Sequence, residues 1–498
     1  MGLQELNQLF DQNKFKEFLE AVDNYRGEER LEAEIWKATI FLDHYADYEQ
    51  ATVILENVAK KIHDNPRLQI QFHLTKSLFF QFEGNPHSAR YEVETAQHIW
   101  DTLSAEQQAQ IPYYSVYLLF YRSLVYSMER RYDQAINLYV ELLHLVSTTL
   151  PPIKTFIAAA HLNVGENYLK TGKYDQANNS FKKCITISQE IGNKVTKALA
   201  IYNLGEISLF QGELELAEDN FLKSLELVKK VGHQRELEQI LSRLGRLYYS
   251  RNDFDTAQDY FEQSLAHAKG KTLWYESDVC MTLFQLCQLS LDKQKPVKAK
   301  EYLMQLQELS QAKKTWDGEH LCQLAEVRIL MRSKRFKEKA QAQTILRHLL
   351  ANNQVDKSLR VHVLLTLCEL LLQEIQAFGD AELFQEVVIL IGEVRELAQT
   401  WHFIPILIES LIVQSKLVLI QGDAQYALEL LKQSEDLARE KGLRHVMKNI
   451  QGQQVRLKTE LTKWRDLAER NAPLQERLEL ADLEKYMQNA LKIIKAHE

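Results

Sequence analysis

Three segments of this 498-residue chain align without a gap at one fixed spacing. They are LNVGENYLKTGKYDQANNSFKKCI from Leu162, YNLGEISLFQGELELAEDNFLKSL from Tyr202 and SRLGRLYYSRNDFDTAQDYFEQSL from Ser242. Gly165, Gly205 and Gly245 stand 40 residues apart. So do Ala177, Ala217 and Ala257, and so do Phe181, Phe221 and Phe261. A register held at so many positions marks a repeat array, in which each unit buries its apolar face against its neighbours. Composition says what the unit is made of. Gly and Pro are 25 of 498 residues, about 5% against an average of roughly 12%. That deficit argues against an all-β chain and against a Gly-rich nucleotide fold. Abundant Leu, Ala, Glu, Gln and Lys point to helices joined by short turns.

The pattern has a direct physical reading. A Gly in the middle of the first helix lets the second approach closely, at a propensity cost of roughly 1 kcal/mol that packing must offset. The Ala on the second helix is expected to face it, and the Phe one turn later to fill the gap between successive pairs. Gly172, Gly212 and Asn252 are expected to close the turns in the left-handed conformation. On these residues the chain resembles the tetratricopeptide repeat (TPR), whose usual unit is 34 residues. The longer unit is similar to kinesin-light-chain-type adaptors and to the sensor regions of some bacterial regulators. The resemblance is strongest over residues 113–270.

Weaker echoes extend the register. ADYEQA at 46–51, RRYDQA at 130–135, Ala299 in KPVKAKEYL and Ala427 in QGDAQYALELLKQS repeat the packing Ala. Dividing 498 by 40 gives about 12 helix pairs. The expected fold is therefore all-α, a right-handed superhelical solenoid of antiparallel helix hairpins. Residues 1–112 read as degenerate N-terminal hairpins, 113–310 as the near-consensus array and 311–470 as C-terminal hairpins. Residues 471–498 read as one capping helix, about 474–496 after Pro473, that closes the array.

Several function classes are excluded or disfavoured. A net charge of −8 disfavours a nucleic-acid partner. Five cysteines without a CxxC fit buried thiols in a reducing, cytoplasmic setting. The N-terminal segment lacks the apolar core of a signal peptide, and Leu6 stands where a myristoylation motif needs Ser or Thr. The longest apolar stretch, 403–420, contains Pro405, Glu409 and Lys416 and reads as a buried helix, so no membrane span is expected. No phosphate loop, dinucleotide fingerprint, zinc-ligand spacing or nucleophile elbow is present. No catalytic residue, metal, cofactor or small-molecule substrate is therefore expected.

What remains is a binding surface. In such an array the first helices line a concave groove. The residue two before the small one forms a ladder of Tyr121, Asn163, Asn203, Arg243 and Gln285. By resemblance to kinesin-light-chain-type arrays, Asn163 and Asn203 would bond the backbone of a bound peptide. An amide offers a donor and an acceptor together. The alternative is a repeat residue that packs locally. Glu166, Glu206 and Arg246, then Tyr202 and Ser242, lie beside the ladder, and Lys170 one turn further on. Tyr117 and Tyr121 share a helical face and could act as core or as an aromatic anchor. A basic stretch over 293–339 reads as solvated turns or as a second surface for an acidic partner. The expected function is a non-enzymatic scaffold or adaptor holding a partner protein or peptide in that groove. The alternatives are a peptide- or ligand-sensing regulatory protein, and a structural subunit that uses convex or terminal surfaces.

Overall fold

The structure is a computed structural model and describes residues 6, 9–10, 14–45, 47–62, 65–148, 154–268, 276–313, 316–352, 355, 357–400 and 402–497. Among the described residues the helices follow one another from Phe15–Ala21 to Leu483–His497, and there is no strand. In the central repeats the first helices are Lys154–Lys170, Lys194–Phe210 and Gln234–Ser250, and the second helices are Tyr174–Ile191, Leu214–Val231 and Phe254–Ala268. The first two of each series begin 40 residues apart, and so do the last two. Gly172, Gly212 and Asn252 close the hairpin turns with φ of 68°, 75° and 61°. Gly192 and Gly232 do the same between hairpins, a second 40-residue pair that the sequence alignment did not use.

The helical glycines have a different partner from the one expected. A Cβ on Gly165 would stand 2.5 Å from Phe181 Cε1, one on Gly205 2.6 Å from Phe221 Cε1, and one on Gly245 2.6 Å from Phe261 Cδ1. The Phe ring stands nearest in the notch, and it does so within its own hairpin. Ala51, Ala135, Ala177, Ala217, Ala257, Ala299 and Ala427 are all 0% exposed, so the echoes found in the degenerate regions hold the same buried place. Ala46 of the first echo lies outside the described residues.

Helix starts follow from local chemistry. Asp47, Asn65, Asn85 and Asp423 each accept a hydrogen bond from the backbone N–H three residues on. Pro66 and Pro86 occupy first helical positions, where no donor is lost. The stretches with the weakest repeat signal are hairpins too: Pro66–Phe82 with Pro86–Thr102, Trp316–Met331 with Phe336–Ala351, and Lys357–Phe378 with Ala381–Thr400.

The chain divides into two compact units. One comprises Met1–Ile207, Ala217–Ile240 and Ala266–Tyr275, the other Ser208–Leu216, Leu241–Leu265 and Glu276–Glu498. In the first, the N-terminal helices close on Phe15, Phe18, Val22 and Ala33, with Trp36 stacked on Phe18. In the second, the segment expected as one capping helix is two. Leu474–Ala481 and Leu483–His497 are separated by Asp482, which takes the left-handed conformation at φ 54°. Asp tolerates that conformation better than most residues, and it redirects the chain. Among the described residues one helical window, Leu359–Phe378, is long and apolar enough to cross a membrane; 67% of it is buried inside the protein.

Candidate peptide-binding surface

In the first unit, Asn163 and Asn203 hold equivalent places on successive first helices, as do Glu166 and Glu206. Asn163 Nδ2 donates to the Ala159 carbonyl at 2.8 Å, and Asn203 Nδ2 to the Leu199 carbonyl at 3.1 Å. Each side chain therefore bonds one turn back on its own helix. Asn203 Nδ2 also donates to Glu166 Oε1 at 3.1 Å, which links one hairpin to the next. With two bonds made by its nitrogen, Asn203 keeps its oxygen as an acceptor. These bonds leave Asn203 only 7% exposed, less than a purely groove-facing residue. Glu206 is buried, Asn163 and Glu166 are half-buried, and Lys170 is exposed at the helix end. Tyr202 lies 5.5 Å from the Phe221 ring, backing the glycine notch.

The aromatic end of the ladder is packed. Tyr117 stacks on Phe156 at 4.8 Å and meets Tyr114 edge-on at 5.4 Å. Tyr121 meets Phe120 edge-on at 5.8 Å. Burial first, then the neighbouring Tyr117 and Asp43, push the Tyr121 hydroxyl above its ordinary range. Both tyrosines pack against the cluster of Ile70, Leu74, Val93 and Leu118.

In the second unit, Ser242 and Arg246 are buried, Arg243 is half-buried, and Arg246 Nη2 donates to Ser242 Oγ at 3.4 Å. Arg246, Tyr249, Asp292 and Lys492 line a cleft of about 60 Å³. The Tyr249 hydroxyl donates to Asp292, which also accepts from Arg332. A cleft of that size suits a few waters and falls well short of the ~300 Å³ that small-molecule sites need. Gln285, the last rung of the ladder, is fully buried and offers no surface. Part of the basic stretch is answered from within. Lys293 binds Asp255 at 2.5 Å and Gln258 at 2.9 Å, Arg335 faces Glu338 at 3.5 Å, and Lys339 donates to Gln373 at 3.1 Å. Lys314 lies outside the described residues.

Sequence reasoning missed two polar clusters, both in the first unit. The buried Glu92 carboxylate takes Lys76 at 2.5 Å and His73 at 2.6 Å, and these contacts outweigh burial to hold it below the usual carboxylate range. His44 and His233, both buried, meet with ring centroids 4.8 Å apart. Burial first, then His233, lowers His44 to about 4. No local spacing marks either cluster, because the partners come from separate elements. Of the five thiols read as buried, Cys184, Cys280, Cys287 and Cys368 are so and Cys322 is half-buried. Burial pushes Cys184 and Cys287 up to about 12 and Cys368 higher still, which leaves them poor nucleophiles. Among the described residues no cluster of His, Cys, Asp and Glu has the arrangement to hold a metal ion.

Comparison with known proteins agrees with this architecture. Residues 118–443 match the family described as the MalT-like TPR region. No curated protein sequence matches. Among solved structures, the apo form of the quorum sensor NprR from B. thuringiensis is similar at 14% identity, with 73% of this chain and 99% of that chain covered and a TM-score of 0.50. A Rap protein complexed with Competence and Sporulation Factor is 12% identical, over 88% of this chain and 100% of that chain, with a TM-score of 0.47. BtubC (BKLC) from P. vanneervenii is 21% identical, over 47% of this chain and 93% of that chain, with a TM-score of 0.39. The family match spans 326 of 498 residues and contains all three aligned repeats. With its glycine notches, packing alanines and hairpin turns, this chain belongs to the MalT-like TPR family.

Proposed function

We propose that the protein is a non-enzymatic, cytoplasmic adaptor whose first-helix face binds an extended segment of a partner protein. The observation that carries this reading is the polar ladder Asn163–Glu166–Asn203, placed on successive first helices and joined across hairpins by a 3.1 Å bond. A repeat core needs apolar residues, and polar rungs at the repeat spacing are what a peptide backbone can follow. Asn163 supplies a donor and an acceptor, and Asn203 an acceptor. Exposed Lys170 sets a positive charge beside the rungs. In the second unit Ser242, Arg243 and Arg246 stand at the matching places of the next repeat, and we assign them to the same class of contact. The buried, protonated thiols suit a reducing compartment.

A photo-crosslinking residue placed at Lys170, on a first helix, and at Lys182, exposed on a second helix, tests the reading in the native host. A partner captured from Lys170 and not from Lys182 supports it. Capture from Lys182 alone would move the surface to the opposite face and favour a structural-subunit role.

A further inference from the structure

The late first helices of the second unit are buried on most of their surface. Along Lys357–Phe378, Val361, Val363, Leu364, Leu365, Leu367 and Cys368 are buried in near-continuous order, and along Ile404–Ile420 buried residues likewise occupy every face. A surface helix of a repeat keeps one polar stripe for solvent. Here that stripe is covered by Leu483–His497, which packs on both helices. Its buried stripe is Leu483, Met487, Ala490, Leu491 and Ile494, at helical spacing, while Glu484, Lys485, Gln488 and Lys492 stay exposed.

The repeat register says where on the face this helix sits. The small residue lies seven before the turn residue at Gly165 and Gly172, at Gly205 and Gly212, and at Gly245 and Asn252. Gly422, with φ 101°, is the turn of the last near-consensus hairpin, so its small residue is Ser415. The next position, held earlier by Glu166, Glu206 and Arg246, is Lys416. Lys416 Nζ lies 4.7 Å from the centroid of the Tyr486 ring. A side chain of the last helix thus rests on the register place that Glu166, Glu206 and Arg246 hold in the earlier repeats. Arg477, just before the break at Asp482, donates to the Ile420 carbonyl at 2.9 Å and pins the approach.

We propose that the first-helix face of Lys357–Phe378 and Ile404–Ile420 is a docking surface for an amphipathic helix. Its one occupant is the chain's own helix Leu483–His497, held there exchangeably. The inference rests on the tail contacts and not on the asparagine rungs, so the two stand or fall separately. A tethered segment works at an effective concentration near the millimolar range, so a free helix meets a largely filled surface in the unaltered chain.

The test uses the full chain and a labelled synthetic peptide of residues 483–498. Met487→Asp with Ile494→Asp, both at fully buried tail positions, should release the resident helix. The peptide is then expected to bind the altered chain at least tenfold more tightly than the unaltered one. An altered chain that keeps its helical melt but takes up no peptide would overturn the proposal. So would an altered chain that loses its fold, since an exchangeable occupant is not needed for the array to fold. Hydrogen exchange on the unaltered chain gives a second decision. Backbone amides of Leu483–His497 are expected to exchange at least 100-fold faster than those of Ile404–Ile420. Equal protection would make the last helix an integral part of the core and overturn the exchange.

Discussion

The ring of Phe221 occupies the space that a Cβ on Gly205 would need, with Cε1 2.6 Å from that position. The ring is fully buried and cannot swing aside. Gly205→Ala should therefore destabilise the protein by about 1–3 kcal/mol, despite the better helix propensity of Ala. Phe221→Leu costs about 1–3 kcal/mol alone through the cavity it leaves. In the double variant the two losses should be less than additive, because the smaller side chain leaves room for the methyl group. Urea unfolding of the four chains measures this, and strict additivity would mean that the notch is not the constraint.

Glu409 and Lys416 give the second unit an unusual response to pH. Burial raises the Glu409 carboxyl to about 7, and burial followed by Arg456 lowers the Lys416 ammonium to about 8. Glu409 is held neutral when folded, so its contribution is present below its unfolded value of 4.5 and is lost as pH rises to about 7. Lys416 works the other way. Its contribution is present above 10.5 and is lost as pH falls to about 8. Together they place a minimum of their joint contribution between about pH 7 and 8. Glu409→Gln should remove the fall between pH 4.5 and 7, a difference on the order of 3 kcal/mol at pH 7.5. Denaturant titrations of both chains across this range check it, and parallel curves would contradict it.

In the first unit the histidines act in acid. His44 is lowered to about 4 by burial and then by His233, and His161 to about 4 by burial and then by Lys183. Each is neutral when folded and charges near 6.5 when unfolded. Their stabilisation is complete above 6.5 and is lost as pH falls toward 4. His161→Gln should flatten the acid limb of the stability curve by about 1–3 kcal/mol between pH 6.5 and 4. An unchanged acid limb in the stability curve would show that the imidazole is protonated in the folded chain.

The repeat register was legible because it is a one-dimensional property. Glycines, alanines and phenylalanines 40 apart fix hairpins, turns and even the buried alanines of degenerate copies, since each contact lies within a hairpin or with its neighbour. Which partner fills the glycine notch was misassigned, because two positions with the same period cannot be told apart by period alone. The last segment shows a harder limit. Its amphipathic pattern predicted a helix, but Asp482 breaks it, and its packing on Lys357–Phe378 depends on contacts more than 100 residues back in the chain. The His44–His233 pair was hidden for the same reason. At the ladder, spacing placed Asn163 and Asn203 on equivalent turns, yet spacing carries no information on the 3.1 Å bond to Glu166 that makes Asn203 partly structural.

That bond shapes the measurement that bears most directly on peptide binding. Peptides selected from a displayed random library against the unaltered chain would be titrated against Asn163→Ala with Asn203→Ala, and against Lys182→Ala as the control on the opposite face. The double change should cost the fold about 1 kcal/mol, mainly through the lost Glu166 contact, and leave it folded. Peptide affinity should fall by about 1–3 kcal/mol, roughly 5- to 150-fold, while the control stays unchanged. Equal affinity for all three chains would contradict binding along the asparagine rungs.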